Sequence, residues 1–345
     1  MPTVLCIAGL DPSHHSGLSA DKRALNFMGI HCLPVASVVT VQDANTFSEM
    51  HHVPPDLIKK QLDAILQKIM PDAIKIGVIG NSDVADLIVE YFSDRKIPMV
   101  IDPVFKSTTG FEFIDDCLLD IYKNSLIPLS RILTPNAYEA ARITGQNIET
   151  LEDAESACRR IFELKPEAVL VKGGHIQGSR GTDIFLDKNG MRHIKTDELD
   201  IKVRGTGCTY SSIIAGHLSM GFEAFEAVSK AKLDLHRALL LTCHSGGKTI
   251  LFEEPASQEQ QPSPYLLELP FSDAVLKAIE RNDFKIEIIR GLQENCTESV
   301  INTGGFVPDV VFDKGYSGKE SVAKLLANNP AELIEKLRRI LECTE

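Results

Sequence analysis

Three absences bound what this chain can be. No apolar run approaches the ~18 consecutive residues that cross a bilayer as a helix, so no membrane partner is expected. No basic stripe is present and the formal net charge is −12, which argues against a nucleic-acid surface and suits a protein that handles anionic ligands locally. No C-x-x-C pair occurs among the eight cysteines, at positions 6, 32, 117, 158, 208, 243, 296 and 343. With a strand-like start at residues 3–8, that scatter points to a reduced, cytoplasmic setting.

A further shortage is local. Between residues 253 and 264 apolar side chains all but vanish while Pro, Gln and Glu accumulate, so the segment cannot fold on its own burial and reads as a linker. It divides the 345 residues into a domain at 1–252, long enough for a substantial core, and a tail at 265–345, marginal for an independent one. The tail's apolar stripe at Leu333, Ile334, Leu337, Ile340 and Leu341 needs a cover, and a homodimer is the expected assembly.

What is present is alternation. Short apolar runs at 4–8, 33–39, 73–76, 99–101, 131–133 and 168–171 read as strands. Helical patterns fill the gaps at 57–69, 84–92, 117–125, 136–144 and 153–164 and continue at 206–220 and 222–243. In the first of these, Leu57, Ile58, Leu62, Ile65, Leu66 and Ile69 fall on one face, as a helix lying on a sheet requires. The acidic pairs Asp115-Asp116 and Glu152-Asp153 read as solvated helix starts. The fold class is therefore α/β, a mainly parallel sheet covered on both faces, whose ligands bind at the carboxyl ends of the strands. The polar and glycine residues fall there: 9–17, 42–45, Gly77, Asp102, Asn136 and 172–175 follow the successive strands. The tail shows strands at 285–289 and 309–312 and helices at 318–327 and 330–341.

Arg204-Gly205-Thr206-Gly207-Cys208-Thr209 opens the helix at 206. Unpaired N–H groups and the positive end of the helix dipole make such an entry suited to the negative charge of a transferring phosphoryl group. A thiol in that field has a lowered pKa, so Cys208 can take a proton from a substrate hydroxyl. Alone, the hexapeptide is equally a plain glycine turn before a helix with a buried cysteine.

The wider set decides. Gly9-Leu10-Asp11-Pro12-Ser13, Asp102-Pro103-Val104, Thr134-Pro135-Asn136-Ala137-Tyr138-Glu139, Val171-Lys172-Gly173-Gly174-His175 and the Gly-Thr-Gly-Cys entry follow one another in register. Over residues 3 to 250 the chain resembles the hydroxymethylpyrimidine and phosphomethylpyrimidine kinases of thiamine biosynthesis, within the ribokinase-like superfamily. That resemblance implies a three-layer α/β/α fold and Mg²⁺-ATP-dependent phosphorylation of 4-amino-5-hydroxymethyl-2-methylpyrimidine and of its monophosphate. It implies that Gly205 and Gly207 form an anion hole with Cys208 as base, and that Asn136, Lys172 and Thr206 contact ATP. Asp102 and Glu139 would hold Mg²⁺, and Gly9, Asp21, Gln42, Val78 and Val104 would line the substrate pocket. Asn136 reads equally as a helix cap, Lys172 as a strand end, and Asp21 as a charge on the first turn of a helix beginning near Gly17.

Two departures stand out. His14-His15 replaces the family's Gly-Gly, and Arg204 replaces a histidine before the anion hole. Rival readings are a pyridoxal kinase and a non-catalytic sensor of the thiamine pathway. Residues 308–320 resemble the closing part of the archaeal-type thiamine-phosphate synthase domain, without the family's earlier Ser-His-x-Ala-Arg-like segment. A docking, dimerising or ligand-sensing remnant is therefore expected of the tail rather than synthase activity.

Overall fold

A computed structural model of the chain describes residues 1–43, 45–107, 110–174, 176, 181–196 and 203–240, and beyond them strands within 243–250, 265–270, 286–289, 310–313 and 322–327. Two compact units separate at Pro255, Met1–Pro255 and Ala256–Glu345. The linker at 253–264 and the helix at 330–341 lie outside the described residues.

The first unit runs β1 (Thr3–Leu10), α1 (Gly17–Phe27), β2 (His31–Gln42), β3 (Phe47–His52), α2 (Pro55–Leu66), β4 (Ala73–Ile76), α3 (Ser82–Phe92), β5 (Met99–Ile101) and α4 (Asp116–Ile121). A π-helical turn at Tyr122–Leu126 leads into α5 (Ile127–Leu129), β6 (Ile132–Leu133), α6 (Ala137–Thr144), α7 (Leu151–Phe162), β7 (Ala168–Val171), β8 (Thr182–Asp187) and β9 (Gly190–Lys195). The long helices α8 (Thr206–Ser219) and α9 (Ala224–Leu240) follow, then a hairpin of β10 (Cys243–Ser245) and β11 (Lys248–Ile250).

These strands form a nine-stranded sheet in the order β3-β2-β1-β4-β5-β6-β7-β8-β9. The central strands β2 to β7 are parallel, with antiparallel β3 at one edge and β8-β9 at the other. β1 explains why the central strands read as unbroken apolar runs. Val4, Cys6 and Ala8 face α1, α8 and α9, while Leu5 and Ile7 face the core packed by α2, α3, α6 and α7. A strand buried on both faces has no polar side to alternate with.

All six strands expected of this unit are present, and its helices agree within a few residues. The terminal helix stops at Leu240 instead of reaching Cys243, which starts β10. Asp115 accepts from the Leu118 N–H at the start of α4, and Asp153 completes a capping box with Thr150 at α7, in keeping with the helix starts expected there. β3, β8 and β9 are additions. β3 (Phe-Ser-Glu-Met-His-His) is largely exposed at a sheet edge, so no apolar periodicity announces it.

The second unit holds β12 (Tyr265–Pro270), β13 (Ile286–Ile289), β14 (Val310–Asp313) and β15 (Val322–Ala327), in the order β12-β15-β14-β13. Here the helix expected at 318–327 is corrected. Val322–Ala327 is a strand, paired antiparallel to β12 on one side and β14 on the other. Its Val-Ala-Lys-Leu-Leu-Ala pattern suits either period over so short a stretch, and pairing on both sides decides it.

Helix α3 provides a local test of this architecture. Asn81 is extended and its side-chain oxygen accepts from the Val84 N–H at 3.1 Å, satisfying one of the unpaired donors of the first turn. Asn81→Ala is expected to lower the unfolding free energy by about 1 kcal/mol, checked by urea titration, with catalytic rate unchanged.

Candidate active site

Sheet order reverses at β1, whose neighbours β2 and β4 lead away in opposite directions; in such sheets the crevice beyond the strand ends takes the ligand. Gly9 ends β1, Gln42 ends β2, Gly77 and Val78 follow β4, Asp102 to Val104 follow β5, Asn136 follows β6 and Lys172 follows β7. Gly9 lies close to β2 and to the loop after β4: a Cβ there would fall 2.9 Å from the Val38 side chain and 3.8 Å from that of Val78.

Helix α8 aims its start at this line of strand ends. Gly205 sits at φ +76° and a Cβ on it would lie 1.9 Å from the His15 carbonyl oxygen, so only glycine fits the turn. A Cβ on Gly207 would stand 3.4 Å from Lys172 Nζ and 4.0 Å from Asp102 Oδ2. The helix entry, the lysine after β7 and the aspartate after β5 therefore meet at one point. The helix itself is buried from Thr209 to Leu218, which the sequence achieves with small and apolar residues on every side.

Asp102 is buried and fully engaged. Lys172 Nζ donates to its Oδ1 at 2.7 Å, as does Thr134 Oγ1 at 3.2 Å, and Ser211 Oγ of α8 donates to Oδ2 at 3.2 Å. Burial pushes this carboxyl up, but the ammonium groups of Lys172 and Lys75 and these hydrogen bonds outweigh it and hold Asp102 below the usual range. Glu139 is also buried. Its carboxylate accepts from the Asn136 N–H at 2.7 Å while Asn136 Oδ1 accepts from the Glu139 N–H at 2.9 Å, a capping box that starts α6. Burial and the nearby Asp102 charge, only partly offset by Lys172, push Glu139 up to about 8.

A second lysine lies beneath. Lys75 stands between Ile74 and Ile76 in β4, fully buried, and its Nζ donates to both oxygens of Asp21 at 2.9 and 3.0 Å. Ser212 of α8 donates to the same carboxylate at 2.8 Å. Burial works against the Lys75 charge, but the Asp21 carboxylate outweighs it and raises Lys75 above its ordinary value. Two lysine–aspartate pairs thus end on consecutive serines, Ser211 and Ser212, one turn past Cys208.

Two expectations change. Asp21, expected to accept from the substrate amine, is closed off, with both oxygens held by Lys75 and Ser212 in the core. It supports the helix from below rather than lining the pocket. Cys208 was expected to have a lowered pKa; burial instead pushes the thiol up to about 11, and the Asp102 and Asp21 carboxylates add to this against Lys75 and the Gly17 N–H. Desolvation is the largest of these contributions.

The remaining candidates are placed as follows. Gln42 Nε2 donates to Thr40 Oγ1 at 3.1 Å, while its Oε1 accepts from Arg204 at 3.4 Å. Val78 and Val104 are half-buried, Thr206 Oγ1 donates to the Val203 carbonyl at 3.0 Å, and His175 lies outside the described residues. Asp11, quoted only as part of a motif, organises the first loop by accepting from the N–H and hydroxyl of both Ser13 and Ser16. Lys75, Ser211 and Ser212 escaped sequence reasoning altogether. The one signal was a lysine inside an otherwise apolar buried strand.

The family model for phosphomethylpyrimidine kinase matches residues 11–250. The chain belongs to the phosphomethylpyrimidine kinase family. A second model, thiamine-phosphate synthase ThiN, matches residues 260–339. Among relatives, a hydroxymethylpyrimidine/phosphomethylpyrimidine kinase of Aquifex aeolicus is 33% identical over 66% of this chain and 90% of its own. Among solved structures, a phosphomethylpyrimidine kinase from Clostridium difficile is 32% identical, covering 69% of this chain and all of that one, with a TM-score of 0.62. A pyridoxal kinase of Bacillus subtilis in complex with ADP is 25% identical, covering 73% and 97%, with a TM-score of 0.67.

An ATP-dependent kinase of this family works with a divalent metal, and the donor set of this site suits one. Among the described residues no three His, Cys, Asp or Glu side chains form a metal cage. Asp102 and Glu139 instead form a pair of mutually repelling buried carboxylates, which suits a hard cation that takes its other ligands from phosphates and water.

Breaking the lower pair is expected to cost fold stability. Asp21→Ala leaves Lys75 buried and unpaired, and should lower the unfolding free energy by about 3–5 kcal/mol, read from chemical denaturation. A loss below about 1 kcal/mol would mean that Lys75 escapes to water.

Proposed function

We propose that the chain uses Mg²⁺-ATP to phosphorylate 4-amino-5-hydroxymethyl-2-methylpyrimidine and then its monophosphate. The observation that carries this reading is the meeting of the Gly205–Cys208 helix start with Lys172 and Asp102 at the carboxyl ends of the parallel strands. It is supported by the family match and by the name of the Aquifex relative.

In this reading Gly205 and Gly207 keep the backbone open enough for the N–H groups of the helix start to receive the transferring phosphoryl group, and Lys172 adds a positive charge beside it. Asn136 and Thr206 border the ATP phosphates. Gly9, Gln42, Val78 and Val104 border the ring, with the Gln42 amide matching the ring's donor and acceptor groups. Bound at Asp102 and Glu139, the magnesium ion would neutralise charge on the phosphates. Cys208 accepts the hydroxyl proton. It does so as the thiolate: burial and the Asp102 and Asp21 charges hold the resting thiol protonated against Lys75 and the Gly17 N–H, so its own proton leaves to solvent before it takes one from the substrate. The C-terminal unit, matching ThiN over 260–339, is read as an auxiliary ligand-sensing or docking module.

A pyridoxal kinase is the second reading, favoured by the higher TM-score of the Bacillus structure, 0.67 against 0.62. Identity runs the other way, 32% against 25%. ADP release measured with the pyrimidine alcohol, its monophosphate and pyridoxal separates the two, and a higher kcat/KM for pyridoxal would overturn the first.

Cys208→Ala should fold and bind ATP yet lose about 10²–10⁴-fold in kcat, the usual cost of removing a general base. Retention of kcat within about threefold would remove Cys208 from that role. Glu139→Gln should raise the half-saturating Mg²⁺ concentration by about tenfold, because a neutral amide is a poor ligand for a hard cation. An unchanged magnesium curve would take Glu139 out of the metal site.

A further inference from the structure

Resting on the pyrimidine kinase reading, the site must accept two different molecules, a neutral alcohol and a phosphomonoester, and the second carries −1.5 to −2 charges near neutral pH. The cations already described are committed: Lys172 to Asp102 and Lys75 to Asp21. Arg204 is different. Its Nη1 donates to the Asp43 carbonyl at 2.8 Å and its Nη2 to Gln42 Oε1 at 3.4 Å, both neutral oxygens. Its Nε is buried and has no hydrogen-bond partner among the described residues.

The loop after β1 holds a second unpartnered nitrogen. His15 is 5% exposed, and its Nε2 is buried without a partner among the described residues. The His15 carbonyl packs against Gly205, the residue after Arg204. Ser13 Oγ donates to Asp11 at 2.6 Å, so at 3.2 Å it accepts from His15 Nδ1–H, which leaves Nε2 of the neutral ring a free lone pair. Buried polar atoms in folded proteins are almost always paired, and two orphans flanking one glycine call for a ligand.

We propose that Arg204 and His15 form the subsite for the phosphate of the phosphomonoester acceptor. Arg204 spans the gap between Gln42, at the ring side, and Gly205, at the anion hole, where the 5-substituent of a ring held at Gln42 would run. A guanidinium gives a phosphate paired, charge-assisted hydrogen bonds. A phosphomonoester has its second pKa near ~6, so one proton shared between a phosphate oxygen and His15 Nε2 completes the other contact. Both residues stand where this chain departs from the family's Gly-Gly and His pattern.

Isothermal titration of the full chain with Mg²⁺ and without ATP, using 4-amino-5-hydroxymethyl-2-methylpyrimidine and its monophosphate as separate ligands, tests this. Arg204→Gln should weaken the monophosphate by at least about tenfold and the alcohol by less than about twofold, as expected for loss of a hydrogen bond to a charged group. His15→Asn, which keeps a donor for Ser13 and deletes Nε2, should weaken the monophosphate alone by about threefold or more. Arg204→Lys keeps the charge and should retain most of the monophosphate affinity. Equal weakening of both ligands by Arg204→Gln would make Arg204 a latch on the β2–β3 turn and overturn the subsite, as would no weakening of either. Failure of both pyrimidines to bind the unmodified chain would instead overturn the kinase reading, and the subsite with it.

Discussion

The start of helix α8 is held inside the protein by paired charges as well as by apolar contact. Ser211 and Ser212 reach to opposite carboxylates, Asp102 and Asp21, and each carboxylate is neutralised by its own lysine, Lys172 and Lys75. Buried charges tolerate this only when paired and hydrogen-bonded, and both pairs meet that condition. The two pairs differ in use. The Lys172–Asp102 pair stands beside Gly207 at the helix start, while the Lys75–Asp21 pair is fully buried and holds α8 from within.

This arrangement also governs the chemistry of Cys208. The thiol sits at the positive end of a helix, which by itself favours the thiolate, yet burial and the two aspartates push it up to about 11. Both aspartates are themselves held by lysines, Asp102 by Lys172 and Asp21 by Lys75.

Two glycines beside the site stand where backbones would otherwise collide. Gly205 is required by the His15 carbonyl, and Gly17, at φ +57°, by the Gly9 carbonyl, 2.1 Å from where a Cβ would sit. These contacts knit the loop after β1 to the start of α8. His14, at φ +67°, adopts the left-handed conformation that favours glycine.

The order of strands and helices in the first unit was legible because its central strands are apolar throughout and its helices carry one-sided apolar stripes, patterns that burial on both faces of a sheet imposes directly. The glycine and acidic residues at the strand ends were legible too, since the carboxyl edge of a parallel sheet is where they must collect. Edge strands were not, because exposed strands such as β3 carry no apolar period, and β15 was misread because six residues fit either period until neighbours on both sides claim them. The resemblance put Asp21 in the pocket; only packing brings it under Lys75, whose place in an apolar strand gives no hint of its partner. The same holds for the pKa of Cys208. A helix start can be read from Gly-Thr-Gly, but burial and the sign of neighbouring charges arise from segments far apart in the chain, and these are decided by the tertiary structure alone.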